Sequence, residues 1–433
     1  MGKSFLILPG CDDKNRGDQA LIWETVEIAE KAGYEGQFYM LAEEDCSSQS
    51  KAVGIKNFVP ILKHPSRKNS GKDNVKYSIL LTLRWGITSV SDMLCCEPLV
   101  HKGFRKIIKF FLKNDVKKSV ELFERADACF VKGGGFLHAY GGLADTYKIY
   151  YFLYHIRLAL ACGKDVYIMP NSFGPFKSPL VKRMMNRTLS KCKVVMAREP
   201  ISQKQLEEQC NVKSHLFTDI AFHLPKDDGF DSKKELEDNA VPLGRKKCVG
   251  ITMRPYRFTG AANPDELYDN YKNSLVDFIR WLCDNNFYPV LIEHVFDEKS
   301  HENDMACIQE VIEKIPDGCE FSVFSNRQLN CMQMKKIYSE LDYLAGTRFH
   351  SVIFSLASSV PSVAITYGGN KGDGIMQDFN LSEYAIPIDR IDGNLLIGKF
   401  QSLIKNEDEV KKIIKESVTS ISNQVDEIVN LIK

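Results

Sequence analysis

Residues 346–374 read Gly-Thr-Arg-Phe-His-Ser-Val-Ile-Phe-Ser-Leu-Ala-Ser-Ser-Val-Pro-Ser-Val-Ala-Ile-Thr-Tyr-Gly-Gly-Asn-Lys-Gly-Asp-Gly, and this stretch leaves the chain few choices of fold. Apolar 341–344 is the end of a buried strand, Gly346-Thr347 makes a turn, a helix runs from Phe349 to about Ser358, and 362–366 returns as a strand. A strand–turn–helix–strand unit of this length is a parallel crossover. Arg348 and His350 then stand at a helix start, where free backbone N–H groups and the helix dipole favour an anion. Lys371 follows the second strand, on the carboxyl edge where open α/β sheets bind ligands. A salt bridge between domains for Arg348 and a helix-capping role for His350 are the competing structural readings.

The chain has 433 residues, enough for two domains, since single cores stop growing near ~250–300 residues. Its formal net charge of +1 gives no general attraction to nucleic acid, and no nucleic-acid partner is expected. The 13 cysteines contain no CxxC pair, so neither a zinc site nor a disulfide framework is indicated, and a reducing cytoplasm suits them. The N-terminus enters a short apolar strand at 5–8 without a signal-peptide pattern, and 78–87, the nearest approach to a membrane span, is broken by Arg84.

Strand 5–8 is followed by Pro9-Gly10-Cys11-Asp12-Asp13-Lys14-Asn15-Arg16-Gly17-Asp18-Gln19-Ala20, which opens a helix over 21–32. This is a half-Rossmann start without the G-x-G-x-x-G of dinucleotide sites. Asp18 either caps that helix or, with Asp13 and Asn15, faces a ligand as a hydrogen-bond partner. Strand 126–131 ends in Lys132-Gly133-Gly134-Gly135-Phe136-Leu137-His138-Ala139-Tyr140-Gly141-Gly142, whose glycines let backbone approach a ligand closely. A tyrosine-rich helix follows over 147–161, with His155 as a structural residue. Strand 165–169 leads into a turn at 170–176, and strand 194–197 leads to Arg198. Segment 225–247 is charged, with Pro and Gly at its ends, and is the natural linker. Beyond it the alternation repeats: strand 248–253 ending at Arg254, helix 271–284, strand 289–293, helix 302–314, strand 320–324, helix 330–339, and a final helix over 406–433.

These motifs carry a family resemblance. Asn15-x-Gly17-Asp18-x-Ala20-Leu21, the triple-glycine segment, the 170–176 turn, Arg348-Phe349-His350-Ser351 with its small apolar helix, Pro361-Ser362-Val363-Ala364-Ile365, and Tyr367 with Lys371 together resemble the polysaccharide pyruvyl transferases. Each motif is short; their order and placement at strand ends carry the likeness from Asn15 to Lys371. The resemblance implies an α/β fold of two Rossmann-like domains facing across a cleft, as in glycosyltransferase-B folds, with the C-terminal helix packing back on the first domain. The expected division is 1–225 (acceptor side), linker 226–247, 248–402 (phosphoenolpyruvate side) and the helix 403–433.

The activity implied is transfer of the enolpyruvyl group of phosphoenolpyruvate onto two hydroxyls of a sugar, such as galactose or an N-acetylhexosamine, as a cyclic ketal. The setting implied is capsular or cell-surface polysaccharide synthesis on a polyprenyl-diphosphate-linked acceptor, in the cytoplasm or at the inner membrane face. A doubly anionic donor needs about three cationic groups, with arginine favoured for bidentate contacts. Arg198, Arg254, Arg348, His350 and Lys371 supply them. His350 is the natural general acid and Asp18 a base, with Asp145 and Glu293 as lesser candidates. Asn15, Asp18, Gly134, Gly135 and His138 are the expected acceptor contacts, and neither metal nor cofactor is called for. The alternative is a nucleotide-sugar glycosyltransferase of the same fold; such enzymes commonly hold the ribose with a carboxylate on the C-terminal-domain helix, and 349–358 has none. A non-catalytic sugar- or phosphate-binding protein would not need so many cations.

Segment 101–118 reads His-Lys-Gly-Phe-Arg-Lys-Ile-Ile-Lys-Phe-Phe-Leu-Lys-Asn-Asp-Val-Lys-Lys. At helical spacing Phe104, Ile107, Ile108, Phe111 and Leu112 form one face, flanked by Lys102, Arg105, Lys106, Lys109 and Lys113. Such a helix either lies on an anionic membrane surface or buries its apolar face in the core with its lysines in water.

Overall fold

The computed structural model describes residues 2–42, 47–62, 79–297, 302–367 and 370–433, with the backbone alone for 79–85 and 370–373. Contacts divide the chain into two compact units. The first comprises the residues up to Asp12, Thr25–Phe217 and Val429–Lys433; the second comprises Asp13–Glu24 and Thr218–Ile428. Segment 64–76, polar and basic and so expected to be a loop, lies outside the described residues.

In the first unit the strands are β1 (Ser4–Leu8), β2 (Gln37–Leu41), β3 (Lys56–Phe58), β4 (Ala128–Val131), β5 (Gly134–Ala139), β6 (Asp165–Phe176), β7 (Val194–Ala197) and β8 (His215–Leu216). They pair in parallel in the order β3-β2-β1-β4-β6-β7-β8, with β5 on β6. Helices on both faces bury a parallel sheet twice over, which is why Phe5-Leu6-Ile7-Leu8 and Ala128-Cys129-Phe130-Val131 are uninterrupted apolar runs. Two expectations are corrected here. Residues 134–139 of the glycine-rich run, expected as a loop following the strand, form strand β5, and 170–176 continues β6 rather than turning. Register shifts along β5–β6 and β6–β7 let glycine- and proline-containing backbone stay in the sheet.

The expected single helix over 101–118 is two, Lys102–Phe111 and Asn114–Arg125, broken by extended backbone at Leu112 and Lys113. Arg105 is not a flanking cation. It is buried, donating from Nε to the Leu99 carbonyl at 2.6 Å and from a terminal nitrogen to the Ala161 carbonyl at 3.1 Å.

The second unit has β9 (Lys247–Thr252), β10 (Phe287–Ile292), β13 (Ser322–Phe324), β14 (Tyr343–Gly346), β15 (Ser362–Thr366) and β16 (Ala385–Pro387), parallel in the order β13-β10-β9-β14-β15-β16. A short antiparallel pair, β11 (Phe296–Asp297) with β12 (Glu302–Asn303), stands apart. The helix expected from residue 302 begins at Asp304, because the Asn303 side chain caps it by accepting from Met305 N at 3.1 Å. Segment 226–247 contains helix Ser232–Asp238, and Ser232 Oγ donates to Glu340 at 2.8 Å within this unit. The C-terminal helix Glu407–Ile432 groups with the second unit through Ile428; Tyr343 Oη donates to Glu407 at 2.5 Å, and Gln424 accepts from Thr218 at both its backbone N and Oγ1.

Helix Arg16–Lys31 is capped by Asn15, not Asp18. Asn15 Oδ1 accepts from Gly17 N at 3.1 Å and Asp18 N at 3.2 Å, while its amide donates to Asp18 Oδ2 at 3.1 Å. Asn15 wins because the helix begins one residue after it, leaving Asp18 in the first turn. Asn15→Ala should therefore lower stability by about 0.5–2 kcal/mol. A urea midpoint shifted down at unchanged slope is the expected reading; an unmoved midpoint would show that the cap contributes nothing.

Candidate active site

β14 ends at Gly346, where an added Cβ would stand 2.8 Å from Val352 Cγ2, so the chain can turn this tightly only without a side chain. Two residues later Arg348 occupies the N-cap of helix Phe349–Leu356. Its side chain points into the unit. Nε donates to Asp304 Oδ1 at 2.7 Å, one terminal nitrogen also reaches Asp304, the other binds the Glu302 carboxylate, and the Glu302 carbonyl accepts at 2.9 Å. Asp304 is fully buried and its other oxygen accepts from His294 N at 3.0 Å and Val295 N at 2.9 Å. Burial raises the Asp304 pKa to about 6, against the pull of the Arg348 guanidinium. Burial works against the charge on Arg348 too, but Asp304 and Glu302 outweigh it, so Arg348 stays protonated. The salt bridge that Arg348 makes is thus inside one unit, with two carboxylates.

Arg254, two residues beyond β9, donates to the other Glu302 oxygen at 2.6 Å. Its guanidinium lies 4.5 Å from the Tyr367 ring centroid and 5.8 Å from that of Tyr256. Glu302 therefore joins Arg254 to Arg348, yet its side chain is 41% exposed. Beside this group a cavity of about 320 Å³ is lined by Tyr256, Phe258, Thr366, Tyr367 and Asp389, among others. The space between the start of helix Phe349–Leu356 and β15 holds only about 20 Å³ and is walled mainly by apolar groups such as Phe349, Val352 and Ile365. Lys371 falls in helix Asn370–Asp378, and its side chain lies outside the described residues.

His350 sits one residue into the same helix, mostly buried, with Nε2 4.0 Å from Asp219 Oδ2. Asp219 in turn caps the short 3-10 turn Ile220–Phe222 by accepting from Ala221 N at 2.9 Å. Gly17 explains its place in the Asn15-x-Gly17-Asp18 motif. A Cβ on Gly17 would fall 2.0 Å from His350 Nδ1, so the imidazole rests against bare backbone. A second imidazole, His294, is buried, and its Nδ1 lies 3.1 Å from Tyr338 Oη. Burial first, then the neighbouring His350, Arg348 and Arg16, pushes the His294 pKa well below its ordinary value. Nearby, Arg16 is buried and its pKa falls to about 10 through desolvation. Glu293, a base candidate, is held by Arg327 at 2.9 and 3.1 Å and by Ser325 at 2.6 Å.

Asn15, Asp18, Arg254, Glu293, Arg348, His350 and Lys371 thus belong to one unit, while Arg198, Gly134, Gly135, His138 and Asp145 lie in the first. There Arg198 is buried, donates to Ser172 Oγ at 2.7 Å and stands 3.4 Å from the Glu199 carboxylate. Gly134 (φ +144°) and Gly135 open β5. His138 Nδ1 lies 3.0 Å from the Gly135 carbonyl, which makes it the donor, and Nε2 then accepts from Lys148 Nζ at 2.9 Å. Burial lowers the Lys148 pKa, partly offset by Asp145. Asp145 itself accepts from Tyr140 N and Gly141 N, tying down the backbone after β5. The sequence reading missed Glu302, Asp304, Asp219, His294 and Lys148. Glu302-x-Asp304 at a helix start was the available signal, since acidic residues there also serve to anchor a cation.

The fold is shared with solved sugar-nucleotide enzymes of glycosyltransferase-B-like architecture. A putative UDP-N-acetylglucosamine 2-epimerase from Listeria monocytogenes matches with TM-score 0.57 at 12% identity, covering 100% of this chain and 95% of that one. Anabaena Alr3699/HepE, solved with UDP-glucose, matches with TM-score 0.53 at 12% identity over 99% and 100%. Residues 15–369 match the polysaccharide pyruvyl transferase model, and the chain belongs to that enzyme family. The amylovoran biosynthesis protein AmsJ of Erwinia amylovora is 21% identical over 310 residues, 70% of this chain and 71% of that protein.

Two outcomes follow from the geometry. Arg348→Ala leaves Asp304 buried beside no guanidinium and should cost about 3–5 kcal/mol of stability; adding Asp304→Asn should restore part of it. A double-mutant cycle in urea that shows no coupling would remove the pair from its structural role. Gly17→Ala should displace the His350 ring, visible as a shifted imidazole resonance and titration by NMR, whereas unchanged signals would mean that the backbone yields instead.

Proposed function

We propose that this chain transfers the enolpyruvyl group of phosphoenolpyruvate onto two hydroxyls of one sugar, forming a cyclic ketal and releasing phosphate. The observation that carries the reading is the pair Arg254 and Arg348, joined by Glu302 and followed by His350 on the same helix start as Arg348, in a pyruvyl-transferase family member, with a cavity of about 320 Å³ lined by Tyr256 and Tyr367, the aromatic neighbours of Arg254. Arg198 and Lys371 complete the proposed donor contacts. Asn15, Asp18, Gly134, Gly135 and His138 are the proposed acceptor contacts, with Asp18 as base; neither cofactor nor metal takes part.

In this scheme the donor's anionic groups replace the half-exposed Glu302 carboxylate at Arg254 and Arg348, while buried Asp304 keeps Arg348 oriented. That exchange favours an anion because Glu302, once released, regains water, and Asp304 remains to fix the guanidinium. His350 gives a proton to the methylene carbon, creating an oxocarbenium-like centre at the adjacent carbon. One sugar hydroxyl attacks there and loses its proton to the base. The carbon–oxygen bond to phosphate then breaks, and the second hydroxyl closes the ketal as its proton leaves with phosphate. The acceptor is proposed to be a polyprenyl-diphosphate-linked intermediate of a cell-surface or capsular polysaccharide, met on the cytoplasmic side.

Incubating the protein with phosphoenolpyruvate and candidate lipid-linked saccharides should yield the pyruvyl mass increment together with stoichiometric phosphate. Phosphate release without a ketal product, or a product only from a nucleotide sugar, would overturn the assignment. His350→Asn should keep the shape of the site but lower turnover by ~10²–10⁴. A rise in KM at unchanged kcat would make His350 a binding residue instead.

A further inference from the structure

Helix Lys102–Phe111 presents to solvent the kind of side chains that proteins ordinarily bury. Phe104, Ile107 and Phe111 recur at i, i+3 and i+7, one face of the helix, and Phe110 adjoins it. All four are exposed, Phe110 to 82% and Phe111 to 77%, and the two adjacent rings pack edge to face at 5.5 Å. The adjoining side, one residue further round, is what attaches the helix to its unit: Arg105 is buried against the Leu99 and Ala161 carbonyls, and Ile108 and Leu112 pack on the core. Lys109 is held by Glu124 at 2.8 Å. The apolar residues of this helix are therefore split, and its larger aromatic members point outward.

The preceding helix, Ile79–Cys96, repeats the pattern one short 3-10 turn earlier in the chain. Its Ile87, Val90 and Leu94 are exposed at i, i+3 and i+7, while Asp92 is buried and accepts from Tyr147 Oη at 3.4 Å. Large exposed apolar residues scattered singly need no explanation, but two consecutive helices with outward stripes do. The charge around the second stripe specifies the occupant. Residues 101–113 include no acidic side chain, and with Arg105 buried and Lys109 neutralised, His101, Lys102, Lys106 and Lys113 remain exposed beside the phenylalanines.

We propose that the exposed face of helix Lys102–Phe111 seats this protein on an anionic lipid bilayer surface, with Phe104, Ile107, Phe110 and Phe111 entering the headgroup–acyl boundary and Lys102, Lys106 and Lys113 meeting lipid phosphates. No helix among the described residues is long and apolar enough to cross a membrane, so the contact is interfacial. A short helix of this kind gains from both apolar insertion and charge attraction, and the second is screened as salt rises. The inference does not use the pyruvyl-transfer reading: it rests on exposure and charge alone, and its test measures no turnover.

The full chain is mixed with phosphatidylglycerol-containing phosphatidylcholine vesicles and sedimented at low and high salt. Co-sedimentation at low salt, release at high salt and weak binding to pure phosphatidylcholine are expected. Two variants separate the contributions: Lys102→Gln/Lys106→Gln/Lys113→Gln and Phe110→Ser/Phe111→Ser should each weaken vesicle binding at least ~10-fold. Both replace exposed side chains, so their melting temperatures should match the parent's. A Phe110→Trp protein should show a blue-shifted emission with anionic vesicles and none with zwitterionic ones. Parent protein left in the supernatant at low salt, or variants that bind as well as the parent, would overturn the proposal. So would a concentration-dependent dimer in sedimentation velocity that Phe110→Ser/Phe111→Ser abolishes in the absence of vesicle binding, which would assign the face to a second copy of the chain.

Discussion

Everything around the second unit's candidate site depends on one buried ion pair. Arg348 cannot be taken out of water without a partner, and Asp304, fully buried, cannot stay charged without one. Each solves the other's problem. Asp304 also accepts from two consecutive backbone N–H groups after β10, so the pair ties the start of helix Phe349–Leu356 to the end of a strand on the far side of β9. The position of His350 follows from that anchor, since it lies two residues beyond Arg348 on the same helix.

Charge compensation is a general feature of these cations. Arg254 shares Glu302 with Arg348, Arg327 holds Glu293, and in the first unit Arg198 lies against Glu199. Isolated guanidinium groups would create a strongly positive interior at a large desolvation cost; paired ones do not. What distinguishes Glu302 from its counterparts is exposure. Asp304, Glu199 and Glu293 are buried, whereas the Glu302 side chain keeps 41% of its surface in water while bridging two guanidinium groups. The two imidazoles divide similarly: His294 is forced neutral by burial and surrounding positive charge, while His350 keeps an acidic neighbour in Asp219.

The first unit shows a different device, in which backbone is brought close to side chains by irregular strands. Gly134 and Gly135 sit in a strand whose register slips against β6, and the Gly135 carbonyl fixes the tautomer of His138, which then accepts from Lys148. A loop could place the same groups, but a strand holds them with less freedom to lose. Glycine-rich sequence alone does not distinguish the two, because glycine removes side-chain packing from either.

The α/β class, the strand–helix alternation and the position of the Arg348–His350 helix start were legible in the sequence, because periodicity, turn residues and apolar strand runs are local properties. So was the family likeness, since its motifs are contiguous. The pairing of Arg348 with Asp304 was not, because the partner lies forty-four positions earlier in the chain and a charged residue's sequence says nothing about which carboxylate it will meet. The cap of helix Arg16–Lys31 hung on where the helix starts, at Arg16 rather than the expected 21, which placed Asn15 rather than Asp18 at the N-cap. The reason for Gly17 became visible only when His350 was seen packed on it. The amphipathic pattern at 101–118 likewise revealed that an apolar face exists, but not which way it points. Only tertiary packing, by burying Arg105 and leaving Phe110 and Phe111 in water, decided that.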